Sequence, residues 1–248
     1  MAGHSKFKNI MHRKGAQDKK KAKIFSRVGK EISVAVKTGG SDPDSNIRLR
    51  SAISAAKALN MPKDNIERVI KKVEGNDPDS NYEEVRYEGY GPSGVAIIID
   101  AMTNNKNRTA SEIRSTFSKY GGSLGETGSV SYNFKRLGSI ILTKNIVEEE
   151  LFEFAIENGS VDFELTNDKY IIYCKSNDLH SLNEKIINKF TEPTSTQLIW
   201  KSDVSINVEN DNAEKLFKLL NLLEENEDVQ SISSNFEVSD EIMNRLTG

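Results

Sequence analysis

The hydrophobic positions change their period along the chain, and the changes divide it. Ile24, Phe25, Val28, Ile32, Ala35 and Val36 recur at helical spacing, and Gly39-Gly40 stops the pattern. Asp42 reads as a helix N-cap with Pro43 at the first helical position. A second stripe follows at Ile47, Ile53, Ala56 and Leu59, with Ala52 and Ala55 beside it. Pro62 ends or restarts that helix, and Ile66, Val69, Ile70 and Val73 make a third stripe. Stripes of this kind can close a small bundle. Residues 75–81, Gly-Asn-Asp-Pro-Asp-Ser-Asn, then read as a polar, turn-rich linker and place a boundary near residue 80.

Beyond the linker the pattern turns to strands. Residues 82–88 alternate and residues 95–101 are a short apolar run. A polar loop, 103–109, leads into an expected helix over 110–120, stopped by Gly121-Gly122, and then a strand over 129–135. The next stretch reads β-α-β-β-α-β. It has a strand at 139–143 and a helix to 158 opened by Asn145 and Glu148 as a capping pair. A hairpin of 161–165 and 170–175 turns at Asn167-Asp168, followed by a helix at 179–190 and a strand from 197. A strand at 204–208, a helix at 213–223 and a strand at 229–236 close the chain. Residues 95–135 and 204–236 each supply β-α-β and together complete a second split β-α-β sheet. The predicted fold class is therefore α+β. A basic all-helical domain (1–80) precedes a discontinuous α/β domain (81–136 and 203–240), which holds an inserted α/β domain (137–202). Both α/β domains are expected to be ferredoxin-like.

Charge changes the picture of the first helices. The 248 residues carry a net charge of only −3, yet residues 1–75 hold 18 Lys and Arg against 7 acids, a net of +11, and the rest holds −14. The first 30 residues are more one-sided, with ten cations against Asp18 alone. Charges much farther apart than about 8 Å are largely screened at physiological salt, so a ligand meets a basic head on an acidic body. Such a density fits a polyanion. Before Ile24 the only large apolar side chains are Phe7, Ile10 and Met11, too few for the apolar face of a membrane anchor. The candidate contacts are His4, Lys6, Lys8, His12, Arg13, Lys14, Lys19, Lys20, Lys21, Lys23 and Arg27. Lys106 and Arg108 join them, because a polar loop at a helix N-terminus also suits phosphate; the alternative there is simple capping by Asn107 or Thr109.

Candidate chemistry is sparse. Residues 89–94 match G-x-G-x-x-G, but they lead into the strand-like run 95–99, whereas a dinucleotide site needs a helix there. A hairpin turn is expected instead. Glu148, Glu149 and Glu150 complement the dipole of a helix first turn rather than form a catalytic cluster. The single cysteine, Cys174, lies in an apolar strand and reads as a buried structural thiol. It excludes a disulfide framework and a cysteine-based zinc cluster. His4 and His12 sit among cations, a poor place for a metal. No apolar run nears the roughly 20 residues of a membrane span, and the N-terminus lacks the apolar core of a secretory signal. The chain is expected to be cytoplasmic, to need no metal or cofactor, and to bind rather than catalyse.

Several local motifs together carry a resemblance. They are Ala2-Gly3-His4-Ser5-Lys6, His12-Arg13-Lys14, Gln17-Asp18, Gly39-Gly40 with Asp42-Pro43, Asn60-Met61-Pro62, Tyr87-Glu88-Gly89-Tyr90-Gly91-Pro92 and Gly128-Ser129-Val130. With these motifs the chain resembles the YebC/PmpR family, which also holds a mitochondrial translational activator. Phe7 stands where that family usually has Trp, and Asn104 where it often has Asp. The resemblance implies three domains and a cytoplasmic DNA-binding transcriptional regulator. It also implies, as the alternative, a translation factor on ribosomal RNA or the ribosome. A protein partner on the acidic C-terminal half is a third expectation.

Overall fold

The computed structural model describes residues 17–166 and 168–247. The head is built from α1 (Gln17–Gly39), α2 (Ile47–Ala58) and α3 (Lys63–Glu74). They close over Ile32, Ala35, Val36, Leu49, Ala52, Ala56, Met61 and Ile66, with Phe25, Val28, Ile53, Val69, Ile70 and Val73 at the margin. The stripe on α2 is displaced from the expected one. Leu49 is fully buried, whereas Ile47 is 64% exposed. Positions 49, 52 and 56 share one helix face, and Ile47 lies about 200° around the helix from Leu49. Flanking Arg48 and Arg50 disguised Leu49 in the sequence.

Asp42-Pro43 opens a turn, not the helix. The N-cap is Asn46, whose Oδ1 accepts from the Leu49 N–H at 3.0 Å. The same buried side chain donates to the Ala35 and Gly40 carbonyls at 2.7 and 2.8 Å, tying the end of α1 to the start of α2.

The body contains β1 (Glu83–Tyr90), β2 (Ala96–Thr103), α4 (Lys106–Lys119), β3 (Ser123–Leu124), β4 (Phe134–Thr143), α5 (Glu148–Glu157), β5 (Ser160–Leu165), β6 (Lys169–Lys175), α6 (Leu179–Lys189) and β7 (Ser195–Ser202). Then come β8 (Ile206–Asn207), α7 (Asn210–Glu225), β9 (Val229–Ser234), β10 (Phe236–Glu237) and α8 (Asp240–Thr247). One sheet has the order β3-β1-β2-β9 and the other β5-β6-β4-β7. Each holds a split β-α-β unit. In the first, α4 joins β2 to β3 with β1 between them; in the second, α5 joins β4 to β5 with β6 between them. The fold is α+β, a helical head followed by two such α/β units.

Three strand expectations are corrected. Only the end of the expected strand 129–135 is strand: Ser131–Asn133 is one 3-10 turn, and β4 begins at Phe134 and runs unbroken to Thr143. The buried Glu88 carboxylate accepts from the Val130 and Ser131 N–H groups at 2.9 Å each, so those amides are unavailable to a ladder. Residues 204–208 contribute only β8, which pairs in parallel with β10 off the main sheets. The inner slot that a split sheet needs is filled by β1. Two helix starts also move. Helix α4 begins at Lys106, capped by Asn105, and α5 begins at Glu148 with Val147 at its N-cap, a side chain that cannot accept, while Asn145 Oδ1 accepts from the Thr143 hydroxyl at 3.0 Å instead. Helix α8 was not expected.

Strand β2 explains the unbroken apolar run. Ile97, Ile99 and Ala101 face a core shared with α4 and α7, while Ala96 and Ile98 face a smaller one with Val130, Phe134, Tyr90 and Trp200. That second face is where the two sheets meet. Asp100 accepts from Arg86 Nε and Arg136 Nη1, each at 3.1 Å, and both guanidinium carbons lie over the Trp200 ring, at 4.3 and 5.0 Å from its centroid. The glycine-rich motif is a hairpin turn between β1 and β2, as expected. A Cβ on Gly89 would lie 2.5 Å from the Ser123 carbonyl oxygen, and Gly94 has φ +76. Close backbone approach and a left-handed turn account for those glycines.

Candidate nucleic-acid interface

Helix α1 does two jobs along its length. Its second half buries Ile32, Ala35 and Val36 in the head. Earlier on, Lys23, Arg27 and Lys30 are spaced by four and three residues, so they line one face. That face is turned to the body, half-buried at Lys23 and Arg27 and buried at Lys30. It meets the C-terminal end of α7 and the turn after it, which together read Glu224-Glu225-Asn226-Glu227-Asp228. Lys23 donates to the Glu224 carbonyl. Arg27 bonds the Glu224 carboxylate at 2.9 Å and its carbonyl at 3.2 Å. Lys30 bonds Asp228 Oδ1 at 2.6 Å and the Glu227 carbonyl at 2.8 Å. The turn suits cations twice over, through its carboxylates and through carbonyls at the negative end of a helix.

Asp228 is the centre of this junction. Besides Lys30, it accepts from the Thr109 hydroxyl at 2.6 Å and from Arg108 Nη2 at 3.1 Å, both on Oδ2. Burial opposes its charge, but the hydrogen bonds from Lys30, Thr109 and Arg108 outweigh burial and hold the carboxyl down at about 2. The Lys30 ammonium also lies 5.2 Å from the centroid of the Tyr82 ring, just beyond the linker. One carboxylate thus joins α1, the first turn of α4 and the start of β9. Lys23 is in a different state. Burial first, and then Arg27, lower its pKa to about 8 despite Glu224.

The sequence candidates are distributed as follows. His4, Lys6, Lys8, His12, Arg13 and Lys14 lie outside the described residues, as do the side chains of Lys19 and Lys20, whose backbone is in α1. Lys21 is exposed, with its ammonium 5.6 Å from the Phe25 ring centroid. Lys23 and Arg27 are brought together at the turn after α7. Lys106 pairs with Glu83 at 2.5 Å. Arg108 bridges Asp228 and Asn104 Oδ1, the latter at 3.2 Å, while its N–H is taken by Asn105 Oδ1 at 3.1 Å. The cap of α4 is therefore Asn105, not Asn107 or Thr109, and Lys106 and Arg108 in its first turn face carboxylates of the body.

Sequence reasoning missed Lys30, Thr109, Glu224 and Asp228. The acid-rich run 224–228 at the end of an amphipathic helix was the available signal, since it opposes the basic face of α1 in sign. Cys174 is fully buried, and burial pushes its thiol up, as its place in an apolar strand implied. Among the described residues no group of three or more His, Cys, Asp and Glu side chains could hold a metal ion. No described helix is long and apolar enough to cross a membrane.

Comparison with known proteins places this architecture. Residues 5–76 match the family model of the TACO1/YebC protein N-terminal domain, and residues 82–236 match that of the TACO1/YebC second and third domain. A conserved hypothetical protein from Aquifex aeolicus, known from its crystal structure, is similar with a TM-score of 0.83 and 44% sequence identity, over 90% of this chain and 92% of that one. The helical head, the two split β-α-β sheets and these matches along nearly the whole sequence agree: the chain belongs to the TACO1/YebC family.

Proposed function

We propose that the protein is a nucleic-acid-binding regulator of the cytoplasm, without catalytic activity, and that duplex DNA at a transcriptional target is its ligand. The observation that carries this reading is the charge of the leading segment, ten Lys and Arg against one acid in 30 residues. Lys23, Arg27 and Lys30 face the protein's own acidic turn. The proposed phosphate contacts are therefore chiefly His4, Lys6, Lys8, His12, Arg13, Lys14, Lys19, Lys20 and Lys21. The head is proposed to act as one domain to about residue 80, carried by a discontinuous domain (81–136 and 203–240) with 137–202 inserted. Ribosomal RNA is the second reading, favoured by the strand order β5-β6-β4-β7 of the inserted sheet, the architecture of a common RNA-binding module.

Salt titration tests it. Each phosphate neutralised contributes a slope of about −0.9 in log K against log salt for duplex DNA and about −0.7 for single strands. Changing Lys19, Lys20 and Lys21 to Ala should flatten the slope by up to roughly three such units and weaken unrelated sequences in parallel. An unchanged slope and affinity would remove the basic segment from the site. A far tighter, saturable complex with ribosomes than with any DNA would favour the second reading.

A further inference from the structure

The contact between α1 and the turn after α7 has two unequal parts. The inner part, Lys30 with Asp228, is 7% exposed on both sides, and Asp228 is fully hydrogen-bonded by Lys30, Thr109 and Arg108. The outer part, Arg27 with Glu224, is 20% and 28% exposed. It is also incompletely satisfied: Arg27 Nε is buried with no hydrogen-bond partner among the described residues. Beside it, burial lowers the Lys23 pKa to about 8, so docking this ammonium works against its charge. An orphaned donor and a desolvated lysine are the marks of a contact held with little margin.

The partners of the outer part are a carboxylate and a carbonyl at a helix C-terminus. Both are oxygen acceptors, the carboxylate anionic as a phosphodiester is and the carbonyl partly negative at the helix end. They hold two cations of the segment that the reading above assigns to nucleic acid. We propose that the turn at Glu224 is an intramolecular phosphate mimic: it latches Lys23 and Arg27 against the body, polyanion displaces it, and the Lys30–Asp228 clasp stays closed as the hinge. The proposal rests on the nucleic-acid reading and adds its regulation. Binding opens the first turns of α1 away from α7, and until then two of the binding cations are withheld.

The test separates the latch from general charge. Glu224→Gln weakens the acceptor for Arg27. Glu225→Gln makes the same change in net charge at the neighbouring exposed position, which has no hydrogen bond to α1 among the described contacts. Spin labels at Ala22→Cys and Leu222→Cys, both exposed positions, report the α1–α7 distance, since Cys174 is buried and unreactive. Without nucleic acid, E224Q should lengthen or broaden that distance and E225Q should not. Duplex DNA or ribosomal RNA should lengthen it in the unsubstituted latch. Affinity should rise about two- to fivefold in E224Q beyond any rise in E225Q, the effect of releasing a partly exposed ion pair. An unchanged distance in E224Q, or equal affinities in the two variants, overturns the latch. If neither the wild type nor E224Q binds nucleic acid while the distance responds, the function reading fails and the latch as its regulator fails with it.

Discussion

Lys30 and Asp228 stand 198 positions apart and meet at 2.6 Å in the interior, where each is 7% exposed. The pair fastens the helical head to the body, and its stability consequence is direct. Removing Lys30 leaves the buried Asp228 carboxylate to Arg108 and Thr109 alone, and losing a buried hydrogen bond to a charged group costs about 1.5–3 kcal/mol. Lys30→Ala should therefore lower Tm clearly in a thermal melt, and more than Lys21→Ala on the exposed side of the same helix. Equal melting temperatures for the two variants would contradict this role.

The same carboxylate sets an acid limit. Asp228 is held at about 2, below its ordinary value of 3.8. A depressed folded-state pKa contributes stability that is fully present above about pH 4 and is lost as pH falls from there through 2. In acid titration followed by circular dichroism, the wild type should lose stability over that window. Asp228→Asn should start less stable at neutral pH and show a flatter decline.

Gly89 is required by space. A Cβ there would lie 2.5 Å from the Ser123 carbonyl oxygen and 2.9 Å from the Phe117 ring, and a backbone oxygen in the β1–β3 pairing cannot swing away. Gly89→Ala should cost roughly 1–3 kcal/mol, the range of overpacked interiors, and lower the denaturant midpoint without changing the slope.

Trp200 is the protein's single tryptophan, so its fluorescence reports the meeting of the two sheets. Asp100 holds both guanidinium groups that cover the ring, and Ser231 Oγ also bonds it at 3.2 Å. Asp100→Ala should free Arg86 and Arg136 and shift the emission to the red. An unshifted spectrum would mean that the ring is kept dry by other neighbours.

The head should fold alone if the proposed boundary near residue 80 is sound. Circular dichroism of a fragment ending there should show helix. Ile53→Asp, which places a charge at the margin of its core, should unfold that fragment, since burying such a side chain is worth roughly 1.5–3 kcal/mol. A fragment without helix would refute the boundary.

The helical head, the strand-rich body, the basic leading segment and the β-α-β-β-α-β order of the second sheet are legible in the sequence, whereas the inner strand of the first sheet is β1 and not residues 204–208. The legible parts follow from the 3.6- and 2-residue periods and from turn residues, which act within a few positions of themselves. The rejection of a dinucleotide site at residues 89–94 was local in the same way, because a strand and not a helix follows. Leu49 escaped notice since its neighbours are arginines, and the end of β4 near Phe134 was misplaced because a distant carboxylate, Glu88, takes the amides before it. The fate of Lys23, Arg27, Lys30 and Arg108 was decided only in three dimensions. Their charge is plain in the sequence, but whether a cation faces solvent or an acid depends on a partner about 120 to 200 positions away, at Glu224 and Asp228. Periodicity carries no information about such pairs, because an ion pair needs only proximity, and proximity across this chain is set by how two separate cores dock.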